Sequence, residues 1–316
     1  MPKPNRDRPM TYSRVLEEVS QGHTTRSALY KKLEGQLGPN EKVVAFFTSS
    51  VFHVLITNQD ADMLEEVLRN SQMKNKELIL LLNSLGGDAL AAERIVNICR
   101  SFSDGGFVVI VPKMAKSAAT MVCLGAKKIG MGKTSEMGPI DPQIPIYDER
   151  GNLKDFKAAH EVIESYNELM KQANKSKGRL EPFLQQLARF DARDIRGIRS
   201  AQQLSESIAI RCLQNGMLNG STNSQIKTKI KPFLDPKHTL VHGRPIYHDV
   251  AKACGLNVEL YNNDDPIWQL VSELYVKLNY FVSNNASKAI ESAEDMYVAP
   301  PGPTFADGTS KSETQP

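Results

Sequence analysis

Three short segments carry residue types that can do chemistry together: Asn83-Ser84-Leu85-Gly86-Gly87-Asp88, Ala115-Lys116-Ser117-Ala118-Ala119-Thr120 and Met137-Gly138-Pro139-Ile140-Asp141-Pro142-Gln143. A Gly-Gly pair lets backbone N–H groups approach a ligand closely, because no Cβ intervenes and unusual φ values are allowed. Such a pair could form an oxyanion hole. Ser117 opens a run of small residues that reads as a helix, where free N–H groups and the helix dipole favour a developing negative charge. That position suits a nucleophile. The plainer readings are a helix N-cap for Ser117 and a tight turn for the glycines. The place of Ser117 after a strand pattern and downstream of the Gly-Gly turn favours the chemical reading.

The elements that must hold these segments are legible from periodicity. Val43 begins a buried strand, and Met63, Leu64, Val67 and Leu68 then show helical spacing between Asp60 and Asn70. The unbroken apolar run Leu78 to Leu82 suits a parallel strand covered on both faces. A helix with Ile95, Val96, Ile98 and Cys99 follows Gly87, and Asp104-Gly105-Gly106 turns the chain into a second buried strand, Phe107 to Val111. A helix from Ser117 comes next. Alternation of this kind predicts an α/β layer fold with right-handed crossovers, in which strand C-terminal ends form the site.

Beyond these, helical patterns run from Phe156 to Asn174, Arg179 to Phe190, Ala201 to Met217, Ser221 to Ile230, Tyr247 to Ala253 and Pro266 to Ala286, with Ser221 as a possible cap. Residues 1–40 carry two short helical patterns, Tyr12 to Val19 and Thr25 to Leu37, and read as an N-terminal helical arm. Residues 41–298 read as the catalytic domain with a helical C-terminal extension. Residues 299–316 have too little apolar surface to fold and read as a disordered tail.

The segments quoted above resemble those of the Clp-fold serine peptidases, the group containing the Clp proteolytic subunit, signal peptide peptidase A and, as the best match, the serine dehydrogenase proteinase family. The resemblance is specific from Leu78 to Gln143, and looser back to Val43 and onward through His242-Gly243-Arg244-Pro245-Ile246 to Tyr275. It implies a Clp/crotonase-type α/β fold with repeated ββα units. It implies Ser117 as nucleophile, with the backbone N–H groups of Gly86 and Ala118 as the oxyanion hole. The usual Ser-Pro-Gly-Gly is here Ser84-Leu85-Gly86-Gly87. Where triad-bearing Clp subunits carry a histidine, about 25 residues after the serine, this chain has Asp141 and Pro142.

A serine hydroxyl needs a base. In the signal-peptide-digesting and membrane-associated relatives that base is a lysine 40 to 50 residues on, and Lys157 lies 40 residues beyond Ser117, with Lys154 and Lys171 as alternatives. Phe156, Ala158 and Ala159 flank Lys157, and an apolar site would favour its neutral amine by desolvation. The resemblance thus implies a serine endopeptidase with a Ser117-Lys157 dyad, acting through an acyl-enzyme on peptides or unfolded protein segments. Asp141 is read as a structural turn residue. No cofactor is implied, and without a GxxxxGK[ST] motif the single chain is expected to work independently of ATP. Relatives of this fold assemble into rings, so a homo-oligomer is expected. Two rivals remain in view: a non-catalytic binding or scaffold protein of the same fold, and an acyl-CoA enzyme of the crotonase type.

Composition sets outer bounds. The 316 residues hold 39 Lys+Arg and 36 Asp+Glu, and a formal charge of +3 is too small for a dedicated polyanion binder. Lys171 to Arg179 and Lys227 to Lys231 lack interleaved aromatics and read as solvated helix faces, so no nucleic-acid partner is expected. His238, His242 and His248 contain no HExxH pattern and sit among helix breakers, which favours ordinary loop histidines over a metal site. Four separated cysteines, Cys99, Cys123, Cys212 and Cys254, fit a reducing cytoplasm. With no apolar run of about 18 residues, neither a secretory signal nor a membrane span is expected.

Overall fold

The computed structural model describes residues 22–52, 54–147, 153–176, 178, 180–234 and 244–301. The helical pattern at Tyr12 to Val19, His238, His242 and most of the expected tail therefore lie outside the described residues. The chain opens with α1 (Gly22–Leu37), β1 (Glu41–Thr48), α2 (Asn58–Asn70), β2 (Glu77–Asn83), α3 (Ala89–Ser101), β3 (Val108–Val111), β4 (Met114–Ala115) and α4 (Ala118–Gly125). It continues with β5 (Lys128–Gly132), β6 (Glu136–Met137), β7 (Gln143–Tyr147), β8 (Leu153–Ala158), α5 (Ala159–Lys175), α6 (Glu181–Leu187) and α7 (Ala192–Gln214). The last elements are α8 (Asn223–Lys229), α9 (Lys231–Leu234), α10 (His248–Ala253), β9 (Val258–Tyr261), α11 (Pro266–Asn284), β10 (Lys288–Glu291) and β11 (Met296–Ala299).

The main sheet has seven strands in the order β11-β10-β1-β2-β3-β5-β9. From β1 to β9 neighbouring strands are parallel, whereas β10 and β11 add an antiparallel margin. Alternation along the strands divides the core. Val44, Phe46, Leu80, Leu82, Val109 and Val111 pack in one cluster with α2, α3, α4 and α7. Their neighbours Val43, Ala45, Phe47, Ile79, Leu81 and Ile110 pack in the other with α1 and α11. Because successive side chains point to opposite faces, a strand covered on both sides must be apolar at every position, which is why Leu78 to Leu82 reads as an unbroken run.

The helix at 22–37 is not a free arm. Leu29, Tyr30 and Leu33 are buried against the sheet, and Arg26 makes a bidentate pair with the fully buried Glu291 at 2.7 and 2.8 Å. The Tyr30 hydroxyl donates to the same carboxylate at 3.1 Å, and burial, with the Glu291 charge second, pushes that phenol well above its ordinary range. Arg26 also lies over the Phe281 ring of α11, 4.5 Å from its centroid. The helix expected from Thr25 to Leu37 thus shares a core with the sheet of residues 41–298.

Two further expectations are adjusted. The helical pattern from Phe156 begins only at Ala159, since residues 153–158 pair with β7 as an antiparallel strand. Thr222 rather than Ser221 caps α8, with Gln225 completing a capping box. Among the described residues no helix is long and apolar enough to cross a membrane.

Removing one partner of a buried ion pair leaves an uncompensated charge and costs about 3–5 kcal/mol. Glu291→Ala is therefore expected to lower unfolding free energy in urea by about that much, and Arg26→Met/Glu291→Met to recover most of it. A loss below about 1 kcal/mol for Glu291→Ala would show that α1 is not anchored by this pair.

Candidate active site

The site assembles where β2 and β3 end. Past Asn83 the chain pairs with β4: the Ser84 N–H donates to the Met114 carbonyl and the Lys116 N–H to the Ser84 carbonyl, both at 3.0 Å. The Asn83 side-chain oxygen accepts the Met114 N–H at 3.1 Å. These bonds bring the Gly86 turn against the start of α4. A Cβ on Gly86 would sit 2.5 Å from the Lys116 carbonyl oxygen, 2.9 Å from the Ser117 Cβ and 3.1 Å from the Ala118 nitrogen. The backbone at Gly86 has φ +102°. No other residue meets both requirements, positive φ and the absence of a side chain.

On the other side of the turn the Ile56 N–H donates to the Gly86 carbonyl at 2.8 Å and the Asp88 N–H to the Ile56 carbonyl at 2.9 Å. A Cβ on Gly87 would fall 2.3 Å from the Ile56 nitrogen. The Gly-Gly pair is thus clamped between two backbone segments, and the Gly86 carbonyl is turned away from the site by its bond to Ile56.

Ser117 occupies the N-cap position of α4 but makes no capping hydrogen bond with its side chain. Its backbone has φ +47° and ψ −115°, a conformation that costs a non-glycine residue roughly 1–3 kcal/mol and that collects at functional positions. A sharp strand-to-helix turn of this sort presents a hydroxyl rather than tying it into a cap. Ser117 is half-buried, while Ala118 and Ala119 behind it are buried. The Ala118 N–H, first of the helix, has no acceptor among the described residues, as expected of a helix start. Gly86, Ser117 and Ala118 are therefore brought together.

The third motif is tied to the same helix. Thr120, one turn beyond Ser117, donates to the Ala115 carbonyl at 2.7 Å and accepts the Gly138 N–H at 3.1 Å. Lys116 crosses Gly138 to pair with Glu136 at 3.2 Å, and burial, only partly offset by Glu136, pulls its ammonium below the ordinary lysine range. Three residues after Gly138 comes Asp141, buried at 4% exposure. Its Oδ2 lies 2.9 Å from His160 Nδ1 and accepts the His160 N–H at 3.2 Å, while Oδ1 accepts from Gln202 Nε2 at 2.8 Å.

An ionised carboxylate only accepts, so Nδ1 is the donor in this contact and Nε2 lies on the far edge of the ring. The Ala159 N–H donates to the Pro142 carbonyl at 2.8 Å, fixing the start of α5 beside this turn. Asp141 does hold a turn, as its sequence context suggests, and it also orients an imidazole. His160 lies outside the sequence candidates: it stands 43 residues after the serine, inside a helical pattern, and not at the spacing of about 25 residues that marks the triad histidine.

Lys157 is placed differently. It is exposed on β8, opposite Ile144 in the hairpin, and lines a groove with Glu161, Val162 and Arg189 that does not include Ser117. The burial that a neutral amine would need is not supplied by the described residues. Lys154 is on the same strand, and Lys171 is exposed on α5, 3.9 Å from Glu168. His248 begins α10, and no cluster of three or more metal-ligating side chains occurs among the described residues.

Comparison with known proteins identifies the family. The sequence profile of the ClpP-like SDH-type serine proteinases matches residues 36–210, more than half of the chain. The uncharacterized proteins MJ1495 and MJ0137 of Methanocaldococcus jannaschii are 30% identical over 119 residues and 36% identical over 94 residues. These matches cover 37% and 29% of this chain but only 39% and 32% of those relatives, so the chain spans well under half of their length. Among solved structures, a serine-to-alanine mutant of the 1510-N membrane-bound stomatin-specific protease is similar at 16% identity and a TM-score of 0.33, covering 71% of this chain and 97% of that one. A mutant of ClpP1 from Listeria monocytogenes is similar at 14% identity and a TM-score of 0.36, covering 76% and 99%. With its parallel sheet, its glycine turn and its strained serine, the chain belongs to the ClpP-like SDH-type serine proteinases and has a Clp-type fold.

Proposed function

We propose that this family member is a serine endopeptidase in which Ser117 attacks a peptide carbonyl, the Gly86 and Ala118 N–H groups receive the oxyanion, and His160, oriented by Asp141, takes the serine proton. The observation that carries the reading is the contact of Gly86 with a strained, uncapped Ser117 at a helix start. The hydroxyl proton passes to His160 Nε2 as Oγ bonds to the carbonyl carbon. The imidazolium then returns a proton to the leaving amine, and water attacks the acyl-enzyme with the same base assisting. Peptides and unfolded segments are the substrates this reading assigns, with Ser117 half-buried at the strand ends. The reading needs no cofactor and no nucleotide. Self-association into a homo-oligomer is part of it, checked by light scattering.

For the base, His160 is preferred over Lys157 because its orienting carboxylate is in place and buried, whereas the Lys157 side chain is exposed. The Ser117-Lys157 dyad remains the competing arrangement, one that would require burial of Lys157 in an assembly.

Two results are expected. A fluorophosphonate should label the wild type and not Ser117→Ala, while N-ethylmaleimide at neutral pH should leave peptide hydrolysis unchanged. All four cysteines are buried, burial pushing Cys212 and Cys254 up to about 11 and Cys99 and Cys123 higher still, so none offers a competing thiolate. Equal labelling of both proteins would remove the assignment of Ser117.

Second, His160→Asn should lower kcat by about 10²-fold or more. Lys157→Ala should stay within about threefold of wild type. The reverse pattern would establish the Ser-Lys dyad instead.

A further inference from the structure

One hydrogen bond in the site is unaccounted for by the mechanism. The Gly86 N–H, the proposed oxyanion donor, points at the Ser84 side-chain oxygen, 3.1 Å away. That oxygen also accepts the Thr48 hydroxyl at 2.9 Å, from the last residue of β1. Both hydroxyls are almost fully buried, Ser84 at 1% and Thr48 at 2% exposure. Burying two hydroxyls at the end of a strongly apolar strand pair costs free energy unless they are bonded to each other or to the backbone. Here each is bonded, and the bonds converge on the donor that matters.

The turn they serve is otherwise weakly determined. Leu85 is half-buried, and its N–H donates no hydrogen bond among the described residues. Gly86, with φ +102°, is the most freely rotating residue type at the point where the amide must be aimed. Backbone bonds fix what lies to either side: the Ser84 N–H and carbonyl are held by β4 and the Gly86 carbonyl by Ile56. Among the described residues only the Ser84 hydroxyl accepts the Gly86 N–H.

From this we infer that Thr48 and Ser84 are positioning residues for the oxyanion hole: Thr48 seats the Ser84 hydroxyl, and Ser84 holds the Gly86 N–H in a fixed direction until the developing oxyanion takes the bond over. An anionic oxygen is a stronger acceptor than a neutral hydroxyl, so the exchange favours the transition state over bound substrate. The effect should thus fall on the chemical step and not on substrate binding. The inference rests on the serine-peptidase reading for its kinetic consequence but not for the placement of the amide.

The test uses the full chain and four variants, two single and two double. Ser84→Ala should weaken a peptide boronate that adds to Ser117 by about tenfold, part of the 10²–10³ that loss of a whole oxyanion donor costs, with KM for a peptide substrate within about twofold. Amide hydrogen exchange at Gly86, followed by NMR on protein isotope-labelled at glycine, should speed up. Thr48→Val should give a smaller change of the same kind and add nothing to Ser84→Ala.

Leu85→Pro in the Ser84→Ala background should restore most of both. Proline removes no hydrogen bond at residue 85, and the extended Ser84 before it is compatible with the ring. An unchanged Gly86 exchange rate in Ser84→Ala, or a boronate affinity within twofold of wild type, would overturn the inference. So would a Leu85→Pro variant that folds but rescues neither measurement. If Ser84→Ala does not fold, Thr48→Val carries the same measurements. A wild type that fails to label at Ser117 would count against the peptidase reading alone, and the exchange measurement would still decide the role of Ser84.

Discussion

A side chain on Gly86 would collide with the Lys116 carbonyl, the Ser117 Cβ and the Ala118 nitrogen at once, so the site depends on a backbone-to-backbone approach that only glycine permits. Everything nearby can be understood as holding that approach. The Ser84 ladder to β4 sets the distance, Ile56 closes the far side, and α4 starts one residue after Ser117, which brings the Ala118 nitrogen against Gly86. A strained serine survives in such surroundings because the bonds on either side of it leave no cheaper conformation that preserves them.

The sheet supplies the rigidity this approach requires. Its central strands are buried on both faces, one against α2, α3, α4 and α7 and the other against α1 and α11. Strands packed in this way do not slide, since a shift of one residue would exchange the two apolar faces and unseat both helical layers. The antiparallel margin is fastened by charge. Arg26 and Tyr30 converge on Glu291, and Lys288 pairs with Asp60 at 2.6 Å under cover. Those pairs tie β10 to α1 and α2, so β1, which delivers Thr48 to the site, has fixed neighbours on both sides.

Much of this was legible in the residues. Unbroken apolar runs identified β1, β2 and β3, helical spacing identified α2 and α3, a run of small residues identified α4, and the glycine and serine motifs fell at strand ends as the fold class requires. The strands that escaped notice have physical reasons for it. Lys128-Ile129-Gly130-Met131-Gly132 forms β5 with glycines where Tyr261 and Trp268 lie flat against the sheet, 5.8 Å apart and nearly parallel. Glycine at those positions makes room for the rings, and it also erases the apolar pattern that marks a strand. β9 and β10 are four residues each, too short for a period to show, and they are defined by the neighbours that distant segments provide. Likewise the buried role of Arg26 depends on a carboxylate 265 residues away.

The proposed base, His160, was hidden by a different effect, a change of secondary structure at one residue. Read as a continuous helix from Phe156, the segment gives Lys157 apolar neighbours in Phe156, Ala158 and Ala159, which makes it look like a desolvated amine. In the fold, residues 153–158 are a strand and the helix starts at Ala159. Strand geometry sends consecutive side chains to opposite sides, so burial of Ala158 puts Lys157 outward. The switch to helix at Ala159, enforced by its N–H bond to the Pro142 carbonyl, then swings His160 onto Asp141. One strand-to-helix junction thus separates the two candidate bases: it exposes the lysine and gives the histidine a buried carboxylate. A carboxylate that accepts from an imidazole, a backbone N–H and an amide side chain is committed to orienting that imidazole, which is the physical reason to read Asp141 as part of the chemistry and not only of the turn.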